Sequence, residues 1–264
     1  METPKNDQEY FAMDSMSNSM LKYFKRSPAH YLQVKNNKTE QTPAMAFGSA
    51  FHCFVLEPDR FLLEFAVKEK ADGRTKEGKA YNEEFATKNA NKTIITSEDF
   101  ECLKSMKTAL EKHEFAMELL NIPGECEKPF MWVDKITGVQ MKAKMDKVCA
   151  DFTIDLKTTQ DAEPSEFARY AFNNYLTQPA VYCDARKANG MTAGDFYFIA
   201  IEKVAPFGIS IQKCSSEFIE HGKLSYQETL QNFAYWLEMG KPVLDYQWKD
   251  SRGFFDLELP NWIK

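Results

Sequence analysis

Apolar positions in the first third of the chain recur at helical spacing. Behind Ser17, a capping residue, Met20, Leu21 and Phe24 share one helical face, and Pro28 opens a second short helix through PAHYLQVK. The polar connection NNKTEQT separates these from AMAFGSAFHCFVLE. That segment is apolar nearly all round, which predicts a buried helix ended by Pro58 and carrying His52. The run FLLEFAVK, residues 61–68, predicts a strand, and the charged stretch 69–92, with Gly73 and Gly78, predicts a loop and a surface helix. KTIITSED predicts a short strand feeding a helix capped by Ser97, whose apolar positions run from Leu103 to Leu120.

The period then switches to that of strands. EKPFMWVD, GVQMKAKMDKVCA and FTIDLKTT follow in succession, the first two joined as a hairpin by a turn at Thr137 and Gly138. Helices over 164–173 and 178–188, strands DFYFIAIEK and FGISIQK, and a long helix over 216–239 complete the pattern. This order implies an α/β (α+β) fold with a central mixed β-sheet flanked by helices. Residues 1–15 are polar and predict a flexible N-terminus, leaving 16–264 as one domain.

Composition narrows the class. With 44% hydrophobic and 27% charged residues the chain fits a packed enzyme rather than a disordered segment. It has no apolar run long enough to span a membrane, and METPKNDQEY lacks the basic start and apolar stretch of a signal peptide. A cytoplasmic protein with no membrane association is therefore expected. The six cysteines form no CxxC pair, which argues against structural zinc, an iron–sulfur cluster or a disulfide framework. The net charge of −6 is unfavourable for contact with phosphates, yet residues 17–92 hold thirteen Lys and Arg against nine Asp and Glu, so one face can be basic on an acidic protein.

The candidate chemistry lies in TIDLKTT. Asp155 and Lys157 are two apart on a predicted strand and so share a face, roughly 6.6 Å along it. An acid and a base together on a core strand are costly unless they are paired, bind metal, or both. A salt bridge on an edge strand satisfies the same pattern. Asp146 ends the preceding strand candidate, and if the two strands are neighbours, Asp146 and Asp155 converge. A hard divalent cation relieves their repulsion, and Mg²⁺ takes one or two carboxylates with water and substrate phosphate in its other positions. Lys142 and Lys144 alternate with Asp146 on one strand face and are expected to reach the same substrate. Residues Lys22, Lys25 and Arg26, and the loop around Arg74, are further candidates for phosphate contact.

In its ordered combination the chain resembles the PD-(D/E)XK nuclease superfamily. Asp146 stands nine residues before the D-x-K of Asp155 and Lys157; FGSAFH upstream and YLTQPAVY downstream are similar to motifs of the RecB-like branch. The segments SNSMLKYFKRSPAHYL and GSAFHCFVLEPDRF resemble the opening of RecE-like, exodeoxyribonuclease VIII-like phage and prophage exonucleases. The resemblance covers roughly residues 15–240. It implies His52, Asp146 and Asp155 as metal ligands, with the Leu156 carbonyl, and Lys157 as the catalytic lysine. It also implies Gln178 in support of the site or on the DNA backbone, with Tyr175 and Tyr182. Both tyrosines are equally compatible with a core role, and Pro179, which fits the first turn of a helix, places Tyr175 ahead of that helix. A histidine on an apolar helix can likewise be a hydrogen-bonded core residue; Gly48, Ser49 and Ala50 just before His52 favour close approach of the helix to the sheet. The implied activity is Mg²⁺-dependent exonucleolytic hydrolysis of duplex DNA from its ends, 5′ to 3′, with Mn²⁺ as a substitute. A ring-shaped trimer or tetramer and a single-strand annealing protein as partner go with it. Another RecB-like nuclease, single-strand-specific or end-trimming, and a non-catalytic DNA-binding module on the same fold are the alternatives. No Walker A loop, GxGxxG or nucleophile elbow points to a metabolic enzyme.

Overall fold

The computed structural model describes residues 4, 6–37, 41–249, 254–257 and 259. Five helices come first: α1 (Asp7–Ala12), α2 (Asn18–Arg26), α3 (Pro28–Asn36), α4 (Pro43–Leu56) and α5 (Pro58–Glu64). Strand β1 (Phe65–Lys68), α6 (Lys76–Lys88), β2 (Thr93–Thr96), α7 (Ser97–Glu111) and α8 (Glu114–Asn121) follow. The remainder is β3 (Gly124–Val133), β4 (Gln140–Cys149), β5 (Phe152–Thr159), α9 (Pro164–Tyr175), α10 (Thr177–Ala188), β6 (Asp195–Glu202), β7 (Ile209–Lys213) and α11 (Ser216–Glu238).

Strands β3 to β7 form one mixed sheet in sequential order, antiparallel throughout except for the parallel pair β5–β6, which α9 and α10 connect. β1 and β2 make a separate two-stranded parallel sheet. The large sheet buries apolar side chains on both faces. Met141, Met145, Phe196 and Phe198 pack with α2, α3, α10 and α11 around Phe24, Phe233 and Trp236. Ile154, Leu156, Ile199 and Ile201 pack on the other side with α4, α7 and α8 around Phe51, Leu103 and Met106. The expected mixed sheet between helices is what forms.

Three local expectations are corrected. FLLEFAVK is not one strand: Pro58, at the first helical position, starts α5, which absorbs residues up to Glu64 and leaves only Phe65–Lys68 extended. The cap of α7 is Thr96 rather than Ser97, because Thr96 and Asp99 exchange hydrogen bonds as a capping box. The apolar stripe through Leu120 also spans two helices, since the His113 ring accepts the Ala116 N–H and starts α8. Residues 38–40 of the predicted polar connection lie outside the described residues. Within the N-terminal segment expected to be flexible, Asp7–Ala12 is helical, capped by Asn6, and Met16 exchanges backbone hydrogen bonds with Gln140 and Lys142 of β4.

Candidate active site

The site arises where β4 and β5 part. Their ladder holds Lys147↔Ile154 and Val148↔Thr153 and stops there, so Asp146 and Asp155 occupy the next, unpaired position of the same register. The Asp146 Oδ2 atom accepts the Leu156 N–H at 2.8 Å, a side chain taking the backbone donor that the strand no longer pairs. Helix α4 brings His52 to the opening, its Nδ1 3.3 Å from the same Asp146 oxygen. A Cβ added at Gly48 would come no nearer than 4.0 Å to Thr158 Oγ1, so close approach there does not depend on that glycine, whereas Ala50 is fully buried.

Asp155 is 1% exposed. Gln178 donates to its Oδ1 from the start of α10, and the Lys157 ammonium forms an ion pair with Oδ2. Both carboxylate oxygens of Asp155 are thus engaged from its own side of the cleft, Oδ1 by an amide and Oδ2 by an ammonium. Lys157 also lies 4.7 Å from the centroid of the Tyr175 ring, and Lys22 sits 5.2 Å from the same ring. Tyr175 ends α9, Pro179 lies in the first turn of α10, and Tyr182 donates to the Lys144 carbonyl at 3.0 Å while packing in the core.

Burial drives the electrostatics. Burial first, and then the charge of Asp146, push the Asp155 carboxyl up to about 6, against the opposing pull of Lys157. Burial also acts to raise Asp146, but the charge and hydrogen bond of His52, with Lys157 and the Leu156 N–H, outweigh it and hold Asp146 below the usual carboxylate range. His52 is raised, burial being overcome by the charge and hydrogen bond of Asp146. The two carboxylates are thus pushed apart in acidity.

Glu127 on β3 joins this group, although nothing in the sequence singled it out. The β3–β4 register runs through Cys126↔Lys147 and Lys128↔Met145 and omits the pair between them, Glu127 with Asp146. Glu127 has φ 51°, the left-handed region, which breaks the ladder at that point. His52, Glu127 and Asp146 each offer a ligand atom, all within 4.8 Å of one another, and could hold a metal ion. One nitrogen and several carboxylate oxygens are a donor set that suits a divalent cation.

The strand lysines are placed on the predicted face, but their ammonium groups are engaged. Lys142 is buried and donates to the carbonyls of Tyr10 and Met13 at 2.8 Å each, and Lys144 pairs with Asp7 at 2.9 Å and Glu127 at 2.8 Å. Both hold α1 against the site instead of facing open solvent. Asp7, Tyr10, Ser17, Lys22, His52, Asp146, Tyr175 and Gln178 all line one cleft of about 600 Å³. Of the other basic candidates, Lys22 donates to the Asn174 carbonyl, Lys25 to Ser225, Arg26 to Tyr246, and Arg74 pairs with Asp72.

The model of a family described as a PDDEXK-like domain of unknown function, DUF3799, matches residues 17–241. The chain belongs to this family. Membership in the PDDEXK-like family supports a nuclease, in line with the superfamily expected from the order of His52, Asp146, Asp155 and Lys157. A solved structure from Eubacterium rectale, described as a candidate exonuclease, is 16% identical over 98% of this chain and 96% of its own, with a TM-score of 0.65, which shows a shared fold. A second solved chain, SSO0001, is 12% identical over 84% of this chain and 89% of its own, with a TM-score of 0.29, too low to show a shared fold. No curated protein matches the sequence. Among the described residues of this PDDEXK-like protein no helix is long and apolar enough to cross a membrane.

Proposed function

We propose that this PDDEXK-like protein is a divalent-metal-dependent DNA exonuclease. In this reading it hydrolyses one strand of duplex DNA from an end, 5′ to 3′, in RecE-like, phage-type recombination. The observation that carries the reading is the meeting of Asp146, Asp155, Lys157 and His52 at the point where β4 and β5 separate. Mg²⁺, replaceable by Mn²⁺, would be held by His52, Asp146 and Asp155 with the Leu156 carbonyl. When bound, such an ion polarises the scissile phosphate and lowers the pKa of an attacking water.

The chain's own residues supply the rest. The Lys157 ammonium is oriented by Asp155 and the Tyr175 ring, and from there stabilises negative charge developing on the phosphate. Gln178 fixes the Asp155 carboxylate through Oδ1, while Oδ2 holds the Lys157 ammonium. Tyr182 ties α10 to β4 through the Lys144 carbonyl and so sets the distance between Gln178 and the strands. Lys142 and Lys144 reach DNA in this reading only once α1 has moved, because α1 holds both in the form described here. The partners proposed are duplex DNA ends, a single-strand annealing protein, and further copies of the chain in a ring of three or four.

Substrates labelled at the 5′ or the 3′ end test this reading. Linear duplex carrying a 5′ label should release labelled mononucleotide early, with circular duplex resistant. Preference for single strands would instead identify an end-trimming or single-strand-specific relative, and binding without hydrolysis a non-catalytic module.

A further inference from the structure

Glu127 combines three features that have no common explanation in packing. It is a non-glycine residue held at φ 51°, a region where a Cβ is disfavoured and glycine is the usual occupant. It stands in register with Asp146, at the one place where the β3–β4 ladder is interrupted between two intact pairs. Its carboxylate lies with His52 and Asp146 in a group whose ligand atoms are all within 4.8 Å, mostly shielded from solvent. A left-handed residue retained beside an active cleft points to a role for its side chain.

Lys144 complements it. The Nζ atom of Lys144 sits 2.8 Å from Glu127 Oε2 and 2.9 and 3.0 Å from the two carboxylate oxygens of Asp7. Its side chain therefore places a single positive charge between Glu127 and α1. The carboxylates of Asp7, Glu127 and Asp146 line this cleft, and the cation seated between the first two is the Lys144 ammonium.

We infer that Glu127 is a direct ligand of the divalent cation, beside His52 and Asp146, and that Lys144 balances its charge until the ion arrives. Ion entry exchanges one cation for another at Glu127, and Lys144 keeps Asp7 as its partner. The inference rests on reading the cleft as a metal-dependent nuclease site, but it concerns ion binding alone and is tested without DNA.

The test is Mn²⁺ titration of the full chain, followed by calorimetry and by the electron paramagnetic resonance of free Mn²⁺. Loss of even an outer-shell partner weakens metal sites by roughly tenfold to a hundredfold. Glu127→Gln should therefore weaken binding by about tenfold or more. Glu127→Gly should weaken it equally while melting no lower than wild type, because glycine accepts the left-handed backbone; this separates loss of a ligand from loss of the fold. Lys144→Met should tighten binding, since the competing cation is gone. If Asp146→Asn abolishes uptake while both Glu127 variants bind as wild type does, Glu127 is only the partner of Lys144 and the inference fails. If the Glu127 variants weaken binding but the wild type hydrolyses no DNA, the inference stands and the nuclease reading fails. Wild type that takes up no Mn²⁺ overturns both.

Discussion

Asp155 and Asp146 are chemically alike and face each other at one register position, yet their environments drive them in opposite directions. Asp155 has its folded pKa raised from 3.8 to about 6, so its contribution to stability is complete below pH 3.8 and is lost as pH rises through about 6. His52 is raised above 6.5, and its contribution is likewise lost as pH rises through its folded value. Asp146 is depressed below 3.8, and its contribution is present above that pH and lost on further acidification. Without divalent ions the wild type should therefore lose stability relative to Asp155→Asn between about pH 4 and 7, and its affinity for Mn²⁺ should rise over the same window as protons leave the ligands. Thermal denaturation in chelator checks this; a stability difference from Asp155→Asn that stays level with pH contradicts it. At this scale the sequence was informative where spacing carries meaning. Asp146, Asp155 and Lys157 could be paired from strand alternation, and His52 from its neighbours and the family pattern. Glu127 could not, because its part depends on a positive φ at a residue type that rarely adopts one. Lys142 and Lys144 were assigned to the correct face, but their partners Tyr10, Met13 and Asp7 lie more than a hundred residues away, beyond any periodicity.

Strands β4 and β5 can open at the site because they are locked just behind it. Arg186 of α10 is completely buried and donates to the carbonyls of Cys149, Ala150, Phe152 and Thr192 and to the Thr153 hydroxyl, so one guanidinium fastens the turn between the two strands. Arg186→Met removes every one of these donors from buried acceptors and should cost about 3 kcal/mol or more of stability, with Mn²⁺ affinity falling as Asp146 and Asp155 lose their register. Chemical denaturation measures the first effect; a loss under about 1 kcal/mol contradicts the clamp. Most elements were legible from their periods, including the hairpin and the pair α9 and α10 divided near Pro179. The misplaced boundaries have local causes. An apolar run such as FLLEFAVK fits a buried strand and a short helix equally well, and only the packing of Phe61 against Phe54, Phe65 and Phe100 decides between them. Helix α1 is short and polar, and it is held by lysines of β4 rather than by any pattern of its own.

The whole molecule carries a net charge of −6, and its cleft gathers both the acids that favour a cation and the lysines that favour phosphate. To act on DNA as proposed, so acidic a protein must present its basic groups locally, and a ring of three or four copies would concentrate them around a duplex. Sedimentation equilibrium should show that assembly, and a monomer at working concentration would remove the ring from the proposal. The overall layout was readable because alternating strand and helix periods permit few arrangements, and the PDDEXK-like family match over residues 17–241 agrees with it. In the proposed nuclease, Asp155 and Lys157 serve phosphodiester hydrolysis with a divalent ion where β4 and β5 part. Release of acid-soluble nucleotide from linear duplex DNA in Mg²⁺ by wild type, Asp155→Ala and Lys157→Ala, each shown to be folded, tests those roles. Wild type should hydrolyse the duplex until chelation stops it, and both variants should lose at least about a hundredfold; variants that keep wild-type rates would remove Asp155 and Lys157 from the chemistry.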